Sequence, residues 1–457
     1  MTYDEVPEMP QDERRMILGA FLYPTGYHVA AWRHPDVPSD AGVNLRHFVE
    51  VAQTAERAKF DFLFLPDAAA MRGTDLEALS RTAIRYVAQF EPVSLISAMA
   101  AVTHRIGLTV TMSSTYQEPY FVARAIASLD HLSGGRAGWN LVTSQSPYEA
   151  YNFGYSVQPS HAERYERAHE FADVVRGLWD SWADDAFVRD KDSGRFFRPD
   201  AMTTLDHKGP HFQVRGPLNI PRSPQGRPVL LQAGASEPGR ELAARTAEVV
   251  FTAQPTFADA RAFRADVLGR LARHGRESAD VRVLCGAFVT VGRTRAEAED
   301  KVAELQDLIH PAVGLSLLGS ELGGVDLSGY PLDGPLPPLP PSNTAKGRFT
   351  LLTEMARREK LTIRRLYQHV AGGRGHWHLT GSVSEVADEL QYWFEEGAAD
   401  GFFIMPPKLP GSLDDFALQV VPELRRRGLF RTEYTGRTLR EHLGLRRPFR
   451  QSPVGER

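Results

Sequence analysis

Short apolar runs rich in branched and aromatic residues recur along the chain, each followed by a longer stretch whose apolar positions return every three or four residues. The runs are MILGAFLY (16–23), DFLFLPD (61–67), IGLTVTMSS (106–114), RAGWNLVTS (136–144), PVLLQAG (228–234), EVVFTA (248–253), RVLCGAFVTVG (282–292) and GFFIMPP (401–407). Nearly continuous apolarity over so few residues predicts strands covered on both faces. The longer period predicts helices over 44–59, 119–132, 159–180, 237–246, 256–274, 294–308 and 382–396, and a last one over 412–428 follows the eighth strand. Eight strand–helix units favour an α/β fold of the closed (β/α)8 barrel type; an open doubly wound sheet is the alternative, because strand order and closure are not written in one sequence.

Two stretches exceed what a minimal barrel needs. The first, about 145–227, contains the charged and aromatic FVRDKDSGRFFRPD; the second, about 309–380, contains GYPLDGPLPPLPPSN and then a helical stretch near 346–370. Long insertions of this kind are often lids or binding loops. One barrel domain over 15–430 then carries both insertions, and 431–457 is a C-terminal extension. The proline run reads as a stiff connector in preference to a polyproline ligand for another protein.

Composition narrows the class. A chain of 457 residues, 42% hydrophobic and 24% charged, can bury a large core. A formal charge of −4 offers no general attraction to nucleic acid or anionic membrane, so small molecules or proteins are the expected partners. Cys285 is the single cysteine, which excludes an intramolecular disulfide, and its place in an apolar run predicts a small core side chain. The start, MTYDEVPEMPQDERRMILGAF, is acidic where a secretory signal is basic, and no run reaches the length of a membrane span, so a cytoplasmic protein is expected.

In such barrels chemistry sits where strands end. Asp67 closes the second run, Thr111, Ser113 and Ser114 the third, and Thr143 and Ser144 the fourth. Each alone is explained by capping, but three neighbouring strands ending in hydrogen-bonding groups predict a polar ligand. In PVLLQAGASEPGRELAA a strand passes through Gly234 and Ser236 into a helix, which is either plain capping or a phosphate site at the helix N-terminus. In SHAERYERAHEF, His161, Tyr165 and His169 share a helix face while Glu163, Glu166 and Glu170 spread around it. That spread argues against a metal and leaves a solvated face, or His161 and Tyr165 as donors to an anionic or heteroaromatic ligand. His376 and His378 in GRGHWHL lack a third ligand, and no Walker loop, GxGxxG fingerprint or GxSxG elbow occurs. No nucleophile stands out.

LDHLSGGRAGWNLVTS, with KFDFLFLPD before it and NFG, HAERYERAHEF and LLQAGASEPGRELAA after it, resembles the flavin-dependent monooxygenases of the nitrilotriacetate, dibenzothiophene-sulfone and long-chain-alkane type, within the bacterial-luciferase-like superfamily. The similarity runs from about residue 15 to VVPELRRRGLFRTEY. The resemblance implies a TIM barrel that takes reduced FMN from a separate NAD(P)H:flavin reductase, forms a flavin 4a-hydroperoxide with O2, and oxygenates a small organic substrate. It also implies a homodimer or homotetramer. Asp67 and Thr111, with Ser144 nearby, are then expected at the flavin ring, His161 and Tyr165 toward the ribityl chain and phosphate, and Ser236 at the phosphate. In the alkane-type relatives a histidine proposed as catalytic follows the Thr-Ser of the fourth strand; here Gln145 stands there, which puts alkane hydroxylation in doubt. Gln145 and His28, the latter in YPTGYHVAAWRHP, are the candidate catalytic positions. A deazaflavin-dependent oxidoreductase on the same fold and a non-catalytic flavin-binding barrel are the alternatives. Asn140, an amide inside an apolar run, is expected to find its partner within the barrel.

Overall fold

Phe62, Leu63, Phe64 and Leu65 are all buried, and their alternation divides the protein into an inside and an outside. In the computed structural model, which describes residues 14–339 and 346–450, this segment is one of eleven strands. They are β1 (Ile17–Phe21), β2 (Phe62–Leu65), β3 (Gly107–Ser113), β4 (Ala137–Val142), β5 (His207–Lys208), β6 (Gln213–Val214), β7 (Val229–Ala233), β8 (Val249–Thr252), β9 (Arg282–Gly292), β10 (Trp377–Ser382) and β11 (Gly401–Met405). Parallel pairing runs β11-β1-β2-β3-β4-β7-β8-β9, and β9 closes onto β11 through Leu284–Phe288. The fold is a closed (β/α)8 barrel whose eight staves are the eight apolar runs; the open sheet is excluded.

The interior is aromatic. Phe21, Phe62, Phe64, Phe251 and Phe403 meet within it, with Phe251 and Phe403 centroids 4.3 Å apart and Phe64 edge-on to Phe403 at 5.2 Å. Gly19 makes room for this filling, since a Cβ there would lie 2.5 Å from the Phe62 ring. Outward side chains of the same strands pack on the helices: Trp139 lies against Phe171 and Trp179 of the helix His161–Trp179. Each such buried ring contributes about 2 kcal/mol of apolar burial. Cys285 is fully buried in this layer, and burial pushes its thiol up to about 12.

Two β elements were not apparent in the apolar pattern. β10 lies beside the outer half of β9 (Ala287–Gly292), beyond the end of β8, and its residues alternate buried and exposed. β5 and β6 form a short antiparallel hairpin within 180–227. That stretch runs from the end of the helix His161–Trp179 to the start of β7, and so lies at the base of the barrel with its own small core of Trp182, Ala186 and Ala201. The part on the rim is 145–160, with the short helix Pro147–Asn152.

The second insertion supplies the helices Pro311–Glu321, Lys346–Arg358 and Ile363–Ala371. Leu317, Leu318 and Tyr367 there pack with Val29 and Ala30 of the loop after β1 and Ile84 of the loop after β2. This cluster therefore sits over the rim. Part of the proline run, 340–343, lies outside the described residues.

Candidate active site

The rim is assembled from the loops that follow β1, β2, β4 and β7. After β1, the His28 N–H donates to the Pro407 carbonyl at 3.0 Å and fixes this loop to the one after β11. The His28 ring is buried, and its Nδ1 accepts from the Ala30 N–H at 3.2 Å. The neutral ring therefore carries its proton on Nε2, which has no partner among the described residues. Burial, then the nearby Arg374 and His378, bring its pKa down to about 3. His28 is a fixed neutral donor.

After β2, burial and then the Glu91 charge push Asp67 up to about 7; Glu149 acts in the same direction, against the Ala68 N–H and Arg72. Glu149, in the short helix Pro147–Asn152, had no signal in the sequence. It is buried, and its Oε1 accepts from the Ser144 hydroxyl at 2.9 Å and the Ala69 N–H at 3.3 Å, while Oε2 has no partner among the described residues. Ser144 adopts a left-handed backbone (φ 40°), an uncommon state for serine, and its hydroxyl also lies 2.8 Å from that of Ser113.

Deeper in the wall, the Thr111 hydroxyl donates to the Leu65 carbonyl at 2.9 Å and accepts from Asn140 Nδ2 at 2.9 Å. Asn140 thus finds its partner inside the barrel, as its burial demands, yet its Oδ1 is left buried and without a partner among the described residues. On the other side of the mouth Ser236 caps the helix Glu237–Thr246, accepting from the Gly239 N–H at 3.3 Å. Its hydroxyl donates to the Tyr165 hydroxyl at 3.4 Å, and the exposed His161 ring lies 4.8 Å from the Tyr165 ring. A Cβ at Gly239 would come within 2.9 Å of the Tyr165 hydroxyl, so the glycine keeps this corner open.

The structure therefore brings Asp67, Ser144 and Glu149 into one group and His161, Tyr165 and Ser236 into another, with Thr111 engaged in the wall. His28 stands with Tyr27, Arg374 and His378 by the loop after β11. Gln145 is exposed and faces a cleft of about 1070 Å³ bounded by 72–85, 145–148 and 312–328. Also missed in the sequence were Tyr23 and Tyr86, whose hydroxyls meet at 3.1 Å, and Arg72, Arg85 and Arg374 around them. His378 Nε2 accepts from the Gly373 N–H at 2.7 Å and its ring stacks with His369; no three His, Cys, Asp or Glu side chains are grouped as for a metal among the described residues. No helix among them is long and apolar enough to cross a membrane.

A barrel rim of this make-up invites comparison with known families, and one model, described as luciferase-like monooxygenase, matches residues 25–399. The chain belongs to the luciferase-like monooxygenase family. Two relatives in that family are similar over nearly their whole length. One is the N-acetyl-S-(2-succino)cysteine monooxygenase of Bacillus subtilis, 51% identical over 96% of this chain and 99% of that protein. The other is nitrilotriacetate monooxygenase component A of Aminobacter aminovorans, 48% identical over 95% and 97%. Among solved structures, DmoA of Hyphomicrobium sulfonivorans superposes with a TM-score of 0.85 at 35% identity, covering 94% of this chain and 92% of that one. Membership in the luciferase-like monooxygenases agrees with the closed barrel.

Proposed function

We propose that this chain is the oxygenase of a two-component system: it binds reduced FMN supplied by a separate NAD(P)H:flavin reductase and uses O2 to oxygenate a small organic substrate. The observation that carries this reading is the rim itself. A helix N-terminus with Ser236 and Tyr165 stands on one side, and buried polar atoms without partners among the described residues, Asn140 Oδ1 and Glu149 Oε2, stand across an aromatic floor. FMN has matching parts: a phosphate suited to free N–H groups and hydroxyls, and a flat ring that is apolar on its faces and polar on its edge. The residues present fit it.

When bound, reduced FMN supplies the two electrons that let one atom of O2 enter the substrate while the other leaves as water. The protein's own part is binding and control. Ser236, Tyr165 and the helix N-terminus hold the phosphate, with His161 at the edge of that site. Asp67 and Ser144, with Thr111 behind them in the wall, would line the ring, and burial, which pushes Asp67 up to about 7, lets it keep its proton further up the pH range than an ordinary carboxyl. The floor of Phe21, Phe64 and Phe403 excludes water beneath the ring. His28 presents a proton at Nε2 as a donor to an oxygen on the substrate side. Gln145 can orient through its amide but cannot transfer a proton. A relative named component A supports the two-component arrangement.

The test is oxygen uptake by the purified protein with a flavin reductase, NADH and FMN, across thioethers, sulfones and amines. The expected result is substrate-dependent uptake and a product heavier by one oxygen atom. Turnover only with a reduced deazaflavin, or flavin oxidation with no oxygenated product from any substrate, contradicts the proposal.

A further inference from the structure

The helices His161–Trp179 and Glu237–Thr246, whose first turns flank the barrel mouth, end together at the base, where Trp179 and Thr246 line a pocket of about 290 Å³. Its inner wall is the approach to β7 and β8, through Arg227, Pro228 and Glu248, and its outer wall is the C-terminal segment 445–449. That segment follows a plug, in which Leu439, Leu443 and Leu445 pack among Phe62, Val229 and Leu284 and close the barrel from below.

Guanidinium groups crowd this pocket, and almost all of them are answered. Arg245 pairs with Asp173, Arg440 with Glu248 and Arg446 with Glu277. Arg227 and Arg447 pair with Asp180 and Asp184, and Arg222 shares both of those aspartates. Arg276 donates to the Ala244 and Ala247 carbonyls at 2.8 and 2.6 Å, which covers the carbonyl end of the helix Glu237–Thr246. Asp280, the other acid of the lining, accepts from the Glu277 N–H at 2.9 Å. Arg176 is the exception. It is half-buried in the pocket wall, yet it donates no hydrogen bond and enters no ion pair among the described residues.

A guanidinium withdrawn from water with five N–H donors and no acceptor is an unmet demand for an anion. Its neighbours sharpen that demand. Burial, then Arg227, then Arg276 hold Arg176 below its ordinary pKa, against the opposing pull of Glu248 and Asp173. The acids do not cancel the arginines. Arg222, Arg227 and Arg447 share two aspartates, and neither Arg176 nor Arg276 has an ion pair to set beside Asp280, so cations outnumber the carboxylates of the lining and of its paired neighbours.

We propose that this basal pocket binds a phosphate-class dianion, either free phosphate or a small phosphate monoester, with Arg176 as its principal ligand. A tetrahedral oxyanion offers acceptors in several directions at once, which suits guanidinium groups converging from a helix end, a strand approach and the C-terminal segment. Because that segment forms one wall, the pocket exists only in the folded chain, and a bound anion stabilises the closed base. The site lies at the end of the barrel opposite the rim and goes beyond the oxygenase reading.

The test is isothermal titration of the full chain with inorganic phosphate, glycerol 3-phosphate and acetate, in the wild type and in Arg176→Ala, Arg176→Lys and Ser236→Ala. At least one of the two phosphates is expected to bind ten-fold or more tightly than acetate, with affinity falling as sodium chloride is raised. Tighter binding of glycerol 3-phosphate identifies the monoester as the ligand, and equal or weaker binding identifies the free ion. Arg176→Ala weakens this binding by about ten-fold or more, as expected for charged hydrogen bonds, and Arg176→Lys recovers part of the loss. Ser236→Ala, at the other end of the barrel, leaves it in place. The phosphate that binds also raises the melting temperature of the wild type and not of Arg176→Ala, and unfolding without ligand shows that both are folded. Absence of binding by either phosphate, equal binding of acetate, or an unchanged affinity in Arg176→Ala overturns the proposal. Loss of all phosphate binding in Ser236→Ala also overturns it, because the ion would then belong to the rim. No turnover enters these measurements, so failure of oxygen uptake counts against the oxygenase reading alone.

Discussion

At the base of the barrel, Asp61 accepts from the Leu18 N–H and from Arg431, Asp130 from the Ala137 N–H and Gln225, Glu248 from the Leu230 N–H and Arg440, and Asp400 from the Val283 N–H and Arg264. At the rim, Asp67 faces Glu91 and Glu149, Arg85 faces two other arginines, and His28 Nε2 has no hydrogen-bond partner among the described residues. Each base carboxylate takes an N–H near a strand start and a long side chain from elsewhere, so it anchors the strand and cross-links the chain. Asp61 shows the cost, for burial still pushes it up to about 6 despite Arg431. Three of the four base carboxylates meet an arginine, while Asp130 takes uncharged donors and keeps Oδ2 buried without a partner among the described residues; at the rim Asp67 faces two other carboxylates. The difference separates groups that hold the fold from groups that wait for chemistry.

The largest effect expected from this contrast is at the base. Asp61→Ala leaves Arg431 and the Leu18 N–H without their shared acceptor and should cost about 3–5 kcal/mol in urea unfolding. Arg85→Ala at the rim should cost less than about 0.5 kcal/mol, since it also relieves repulsion. A reversed order would break the comparison.

A change that spares the fold but harms turnover comes next. His28→Phe removes the Nε2–H and should lower substrate-dependent oxygen uptake about 100-fold, with the melting temperature little changed. His28→Gln, which keeps a donor, should recover part of it. Because His28 stays neutral down to about pH 3, no step in wild-type turnover between pH 5 and 8 should disappear in His28→Gln.

The smallest effect is a pH dependence of stability. The folded pKa of Asp67 is raised, so the folded state holds this proton more tightly than the unfolded chain. Stability from this group is then fully present below about pH 4 and falls as pH rises toward 7. Asp67→Asn, which cannot ionise, should gain on the wild type by about 2 °C more at pH 8 than at pH 4.5 in thermal unfolding. An equal difference at both pH values would mean that Asp67 is not the strained carboxyl.

The staves were legible because each is buried on both faces and so reads as an unbroken apolar run, as in FLFL or VLLQA. β10 was not, because WHLTGS alternates buried and exposed residues and follows a glycine-rich stretch. The short rim helices Leu76–Leu79 and Pro147–Asn152 are too brief to show a period. The Ser236 cap could be anticipated, since a Ser between a strand and a helix is a local signal, but its contact with Tyr165, 71 residues away, could not. Glu149 and the arginines Arg72, Arg85 and Arg374 could not, because their meaning arises only where three separate loops converge, and by spacing alone each is an ordinary solvated charge.

The most direct test of the central claim, that the rim is a flavin site with its phosphate end at Ser236, is an anaerobic titration of the protein with reduced FMN and with reduced riboflavin. The structure predicts one FMN per chain, bound at least ten-fold more tightly than riboflavin, with that advantage reduced about ten-fold in Ser236→Ala while riboflavin binding is unchanged. Equal affinity for FMN and riboflavin in the wild type, or no binding of either, would contradict it.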